Sequence, residues 1–195
     1  MSKIDFKPGT MVYPLPAVMV SCGSTPEEYN IITIAWTGTI SSDPPMCYIS
    51  VRPGRHSYEI IKRNLEFVIN LTTEKLAKQT DWCGCRSGSK YNKWEEMGLT
   101  PGEAKVVKAP IIMEAPVSIE CKVTKIIELG VHHMFIAEVV NIRVDDEYMN
   151  PKTGKFDLDS AHPLVYNHGN YYQLGKKIGK FGFSVEKKTR KKKKI

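Results

Sequence analysis

Long apolar runs are missing from this chain. Nothing in it approaches the ~20 consecutive apolar residues of a membrane-spanning helix. The opening residues, MSKIDFKPGTMVYPLP, hold no apolar stretch long enough for a secretory signal. A cytoplasmic protein with no membrane partner is expected. A disulfide framework is missing too. The five cysteines are odd in number and scattered in spacing, which does not suit a cross-linked scaffold. Cys22, Cys47 and Cys121 sit in apolar strand patterns and read as small core residues. Cys83 and Cys85 make one Cys-x-Cys pair, with no second pair to complete a structural zinc set, so no metal is expected.

An excess of charge is also absent from most of the chain. The formal net charge is +7, but the last nine residues, KKTRKKKKI, carry seven basic groups and no acid. Without them, 21 basic residues face 21 acidic ones. The basic balance therefore describes a tail. Residues 184–195 are expected to be disordered and solvated, behind a single domain spanning 1–183. No aromatic-interleaved basic face accompanies the tail, so no specific nucleic-acid partner is expected. Catalytic constellations are lacking as well. There is no Ser-His-Asp ordering, nucleophile elbow or paired-carboxylate site, and no GxxxxGK[ST] phosphate loop. Catalytic residues stay unassigned, and a chain with few acid–base candidates suits borrowing a cofactor's chemistry.

What is present is concentrated in Asn30 to Ser57, NIITIAWTGTISSDPPMCYISVRPGRHS. Two strands are predicted, Ile31–Trp36 and Met46–Val51, with a small-residue turn over Thr37–Pro45. The second strand feeds Arg52-Pro53-Gly54-Arg55-His56, and Ser57 is predicted to cap a short helix over Tyr58–Asn64. A strand, a glycine-containing basic loop and a helix start form an anion site. The free N–H groups of the first turn and the positive end of the helix dipole converge there. Arg52, Arg55 and His56 add charged donors. The neighbouring Ala35, Thr37, Thr39, Ser41, Ser42 and Ser50 are small or hydroxylic, as a flat ring lying against backbone requires. Trp36 can pack on such a ring or serve as core. The loop Arg86–Lys93 is either a surface turn or a second source of donors over a phosphate.

Strands outnumber helices along the rest of the chain. A first strand lies within Met11–Gly23, another at Phe67–Leu71, and a helix covers roughly Glu74–Trp82. Val117–Leu129 and Met134–Asp145 make a long hairpin, with His132 and His133 in its turn. Leu164–Tyr166 and Tyr171–Leu174 flank a further turn. Neighbouring strands joined by turns argue for a mainly β, antiparallel sheet that closes to protect its edges, hence a barrel with a few helices outside. Strict βαβ alternation is absent.

The stretch from Asn30 to Leu71, NIITIAWTGTISSDPPMCYISVRPGRHSYEIIKRNLEFVINL, resembles the core signature of the flavin reductase-like, FMN-binding split-barrel family, and is most similar to its flavoredoxin branch. VYPLPAVMVS looks like that family's first strand, and SGSKYNKW is similar to its SGxxxxK loop. ELGVHHMFIAEVVNIRVD resembles its strand pair and NYYQLGKKIGKFG its closing segment. The likeness covers roughly residues 8–183. It implies a six-stranded antiparallel split β-barrel, a homodimer, and FMN near the dimer interface. On this likeness Thr33, Ala35, Trp36 and Thr37 line the isoalloxazine ring, and Ser50, Val51 and Arg52 continue that wall. Arg55, His56 and Ser57 meet the phosphate, while Ser87, Gly88 and Lys93 close over it. One departure is Val131-His132-His133 where many members carry an Asp-His turn, which puts a nicotinamide role for this turn in doubt.

The expected activity is an FMN-dependent oxidoreductase drawing electrons from NAD(P)H for flavin or a downstream acceptor. Some members use FAD, so FAD remains an alternative cofactor. A second expectation is an FMN-containing electron carrier reduced by a redox protein partner. A third is a nucleic-acid-binding barrel using the basic tail.

Overall fold

The computed structural model describes residues 1–186, so the expected basic tail lies, from residue 187 onward, outside the described residues. The main sheet has the spatial order β3 (Asn30–Ile34), β2 (Val18–Cys22), β6 (Glu66–Leu71), β9 (Val117–Leu129), β10 (His132–Val144), β5 (Pro45–Val51) and β4 (Thr37–Ser42). A second sheet joins β1 (Leu15–Pro16), β11 (Leu164–Asn167) and β12 (Asn170–Gln173), and a short ribbon pairs β7 (Pro101–Gly102) with β8 (Ile111–Ile112). The pairings described are antiparallel. Three helices stand outside: α1 (His56–Asn64), α2 (Ala77–Cys85) and α3 (Lys93–Met97). The main sheet curls without closing, since β3 and β4 end it on opposite sides. This is the expected mainly β split barrel.

The sheet counts seven strands, one more than expected. The composition predicts a turn over Thr37–Pro45, yet Thr37–Ser42 pairs with β5, Thr37 opposite Ile49 and Thr39 opposite Cys47. Its threonines and Ile40 favour extended backbone, and only Asp43 and Pro44 form the turn. His132 and His133 likewise leave the turn and open β10, His132 opposite Leu129. The turn itself is Gly130-Val131, with Gly130 at a φ of 59°, a left-handed conformation that costs glycine little.

Period-two alternation divides the core. Val18, Val20, Ile32, Ile34, Phe67 and Ile69 point into the barrel, together with Cys47, Cys121 and Phe135. Cys22 joins this cluster, so the three cysteines read as core residues are indeed buried. Met19 and Ile31 point outward and are covered by Leu76, Cys83 and Trp94 from the helical side. The strands β2 and β3 are thus apolar on both faces because both faces are covered.

The connector between β7 and β8 has little regular structure but is held by buried side chains. Asn70 donates to Met19 O at 3.1 Å and to Ser21 Oγ at 2.9 Å. Its Oδ1 accepts from Ile112 N at 3.0 Å and from Ser118 Oγ at 2.8 Å. Glu120 is fully buried. Its carboxylate accepts from the backbone N–H groups of Lys105 (3.0 Å), Val106 (2.6 Å) and Val107 (3.2 Å), and from Asn141 Nδ2 (2.7 Å). Burial by itself raises this carboxyl, but the four donors outweigh it and hold it below the ordinary 4.5.

Glu120→Ala removes the shared acceptor of three backbone N–H groups and of the Asn141 amide, and should lower the unfolding free energy by about 3 kcal/mol in denaturant titrations. Because the folded carboxyl is depressed, its stabilisation is fully present above pH 4.5 and is lost as the pH falls through the folded value. The variant should therefore show a shallower acid limb than the parent when unfolding is followed against pH.

Candidate functional site

The loop after β5 folds as its composition dictates. Arg52-Pro53-Gly54-Arg55 closes on an Arg55 N to Arg52 O bond of 3.0 Å, and Tyr58 N then donates to Arg55 O at 2.9 Å. Helix α1 therefore begins two residues earlier than expected, with Arg55 and not Ser57 as its N-cap. Arg55 caps nothing with its side chain, so the N–H groups of His56 and Ser57 are without a side-chain capping oxygen. Ser57 instead lies inside the first turn, buried, and its Oγ accepts from Asn30 Nδ2 at 2.7 Å.

A 130 Å³ cavity faces this turn. Arg55, His56 and Ser57 line it from α1, and Ser87, Gly88 and Lys93 from the segment after α2. The two groups of phosphate residues expected from sequence are brought together, although Gly88 lies 31 positions beyond Ser57 in the chain. Lys93 is only 3% exposed. Its Nζ donates to Ile31 O and to Cys83 O, each at 2.7 Å. An ammonium has three donors, and among the described residues no carboxylate pairs with this one. Burial pulls Lys93 below the ordinary lysine range. Burial also pushes the adjacent thiols up, Cys22 to about 12 and Cys83 to about 11, so both stay protonated beside it.

Arg55 also lines an adjoining cavity of 400 Å³, which shares Ile32 and Gly84 with the first. Thr33, Ala35, Trp36, Ser50, Val51 and Arg52, the residues that the family likeness implies for a ring wall, line this second space. Ser50 N donates to Trp36 O at 2.9 Å, which fixes the two strand ends side by side. Thr37 stands apart from this wall. It is buried, and its Oγ1 donates to Tyr48 O at 2.6 Å. Thr33 Oγ1 donates to Thr80 O on α2, and a Cβ on Gly84 would press on Thr33 Cβ at 3.2 Å. A glycine there lets α2 approach β3 closely.

Several lining residues had no advance signal. His132 stacks on Trp36, the rings 5° from parallel at 6.2 Å between centroids. Burial first, then Arg52 and Arg55, hold His132 below its usual pKa, which favours the neutral ring. The adjoining Tyr58 hydroxyl lies 2.7 Å from His133 Nδ1 and ties α1 to β10. Tyr166, Gly169 and Tyr171 of the β11–β12 hairpin, with Asp81 of α2, complete the 400 Å³ space. Asn30 is a third kind of omission. It bonds Ser57, and its Oδ1 would lie 2.1 Å from a Cβ on Gly88. The largest cavity, about 1380 Å³, is a groove between the turn at Pro26–Glu28, α3 and the connector up to Lys108. It holds none of the expected ring residues and touches the smaller cavity at Asn30, His56 and Gly88.

The flavin reductase-like domain family matches residues 10–175. The chain belongs to the flavin reductase-like family. This membership carries a flavin-related redox role. Similarity extends to an uncharacterised protein of Archaeoglobus fulgidus, 33% identical over 161 residues, covering 83% of this chain and 88% of that one. Among solved structures, the flavoredoxin of Desulfovibrio vulgaris (Miyazaki F) superposes with a TM-score of 0.86 at 29% identity, covering 94% of this chain and 99% of that one. Flavoredoxin from Methanosarcina acetivorans gives 0.83 at 26% identity, covering 95% and 100%. Among the described residues, no helix of this family member is long and apolar enough to cross a membrane.

Gly88→Ala forces a Cβ into the Asn30 amide. It should cost about 1–3 kcal/mol of folding stability. The Asn30→Ala, Gly88→Ala double variant should be less destabilised than the sum of the singles, as read by paired denaturant titrations.

Proposed function

We propose that the two joined cavities hold FMN and that the chain is an FMN-dependent oxidoreductase taking electrons from NAD(P)H and passing them to flavin or a downstream acceptor. The observation that carries this reading is Lys93: a buried ammonium that no carboxylate pairs among the described residues, in the same small cavity as a helix start without a side-chain cap. A buried cation without an anion is costly. A phosphate monoester there would meet Lys93, Arg55 and the N–H groups of His56 and Ser57, with Ser87 and Gly88 over it. The ring would lie along Thr33, Ala35, Ser50 and Val51, with Trp36 at its edge. When bound, FMN supplies the hydride chemistry. The protein contributes orientation, exclusion of water, and cationic side chains that favour added negative charge on the ring.

The observed fit of residues to group suits FMN, with FAD as the alternative cofactor. The homodimer expected from the family likeness belongs to the same reading. It is supported by Ile178 and Phe181, 94% and 106% exposed, and by Leu129 and Val131 at the hairpin tip. A second reading, an electron-transfer protein reduced by a protein partner, is favoured by the similarity to two flavoredoxins. NAD(P)H oxidation by the flavin-loaded protein supports the first. Its absence, together with reduction by a ferredoxin-like donor, supports the second.

The direct test is flavin content. The purified protein should carry FMN or take it up with micromolar affinity, and failure to do either would overturn the proposal. Arg55→Ala and Lys93→Met should each weaken FMN binding by about tenfold to a hundredfold, the worth of one charge-assisted bond. Only the protonated Lys93 attracts phosphate. Affinity should therefore hold at neutral pH and fall as the pH rises through a Lys93 pKa below the ordinary 10.5. Lys93→Met should remove that alkaline limb in fluorescence titrations of FMN.

A further inference from the structure

The 130 Å³ cavity is small and lined by charge of one sign. It falls well short of the roughly 300–1,000 Å³ of a whole small-molecule site, so it takes one end group of a ligand. Arg55, Arg86 and Lys93 line it, and among the described residues no carboxylate does. Lys93 spends two ammonium donors on backbone carbonyls and keeps a third for an anion.

The spaces that adjoin it are different. Gly54, Arg55, His56 and Ser87 also line a space of about 500 Å³, to which α1 contributes Glu59 and Arg63. Asn30, His56 and Gly88 also line the 1380 Å³ groove. Glu27 and Glu28 line both of these outer spaces. Arg63 pairs with Glu28 at 2.6 Å. Glu27 has no basic partner among the described residues. A hydrogen bond with Thr25 holds its carboxyl below the ordinary 4.5, so it is charged at neutral pH. The groove sets Lys90, Lys105 and Lys108 against four glutamates and so has no cationic excess.

Passage toward the groove is tight as well. A Cβ on Gly88 would lie 2.1 Å from Asn30 Oδ1, so the Asn30 amide already touches the Gly88 backbone. That amide is held in place by its bond to Ser57 Oγ at 2.7 Å. A phosphate monoester and a diphosphate differ on both counts. The monoester ends in three free oxygens and carries roughly two negative charges near neutral pH. Joining it to a second nucleotide takes one free oxygen and one charge from that phosphorus. It also adds a second phosphate, which must lie outside the small cavity, beyond Asn30 or near Glu27.

We propose that this site admits a terminal phosphate and rejects a diphosphate, with Asn30 and Glu27 as its specificity-determining residues. The selectivity rests on the flavin reading for its consequence, which is choice of FMN over FAD. Asn30 closes the passage beside Gly88. Glu27 repels a second phosphate in either outer space, since like charges brought together without a counterion are unfavourable.

The test compares two matched pairs on the flavin-free full chain by isothermal titration calorimetry. One pair is FMN and FAD. The other is ribose 5-phosphate and ADP-ribose, which repeats the same difference without a flavin ring. The monophosphate of each pair should bind about tenfold more tightly, the worth of one charge-assisted hydrogen bond. Asn30→Ala should narrow that preference at any ionic strength. Glu27→Lys, at an exposed position that leaves folding intact, should narrow it at low salt and less at high salt, because an exposed charge is screened. Equal binding within the pairs, or a preference unchanged in both variants, overturns the proposal. Narrowing in one variant alone assigns the selectivity to that residue and withdraws the other. Flavin uptake without preference leaves the flavin reading standing and removes the selectivity. Preference in the sugar pair without flavin uptake retires the flavin reading and keeps the selectivity. Binding of none of the four probes overturns both.

Discussion

A buried ammonium organises one side of this molecule. Lys93 Nζ bonds the carbonyls of Ile31 and Cys83, and so joins β3, the last turn of α2 and the first residue of α3. An isolated buried charge is tolerated only when its donors are met. Two are met by backbone, and the remaining polar demand falls on the small cavity that Lys93 shares with the start of α1. The same contact closes the second hydrophobic cluster over Ile31 and Met19. Packing across β3, α2 and α3 is thus tied to one side chain that also lines the cavity.

The rest of the structure keeps that cavity in shape. Asn30 links Ser57 to the segment at Gly88, and only a residue without Cβ fits between them. On the far side, Asn70 and Glu120 hold an irregular connector against the sheet through backbone N–H groups. Buried polar groups of this kind strengthen one another in a low-dielectric interior. The connector is therefore anchored to the sheet by side-chain acceptors despite having almost none of a strand's ladder.

The adjoining space shows how a curled, open sheet makes a site. Its two sides come from separate sheets, the ends of β3 and β5 on one and the β11–β12 hairpin on the other. The cationic residues sit at the junction with the smaller cavity, since Arg55 lines both. A ligand with a flat body and an anionic end matches that layout.

Contiguous features were legible in the sequence by itself. Alternation in Ile31–Trp36 and Met46–Val51 identified strands, because side chains along a strand change face at every residue. The run from Arg52 to Ser57 reads as a candidate anion site, because loop and helix start are covalently adjacent and the orphan N–H groups follow from helix geometry alone. For Lys93 and the ring wall the residues themselves leave alternatives open, family likeness names them one by one, and only three dimensions show which cavities they line. Tertiary structure decided what depends on distant segments meeting. It turned Thr37 to Tyr48 and away from the cavity, moved the helix cap from Ser57 to Arg55, and made a strand of Thr37–Ser42 by giving it β5 as a partner. It also brought Tyr166, Tyr171 and Asp81 to the site from positions far along the chain. No local pattern encodes such meetings, since strand pairing and packing between sheets are set by which surfaces can be buried together.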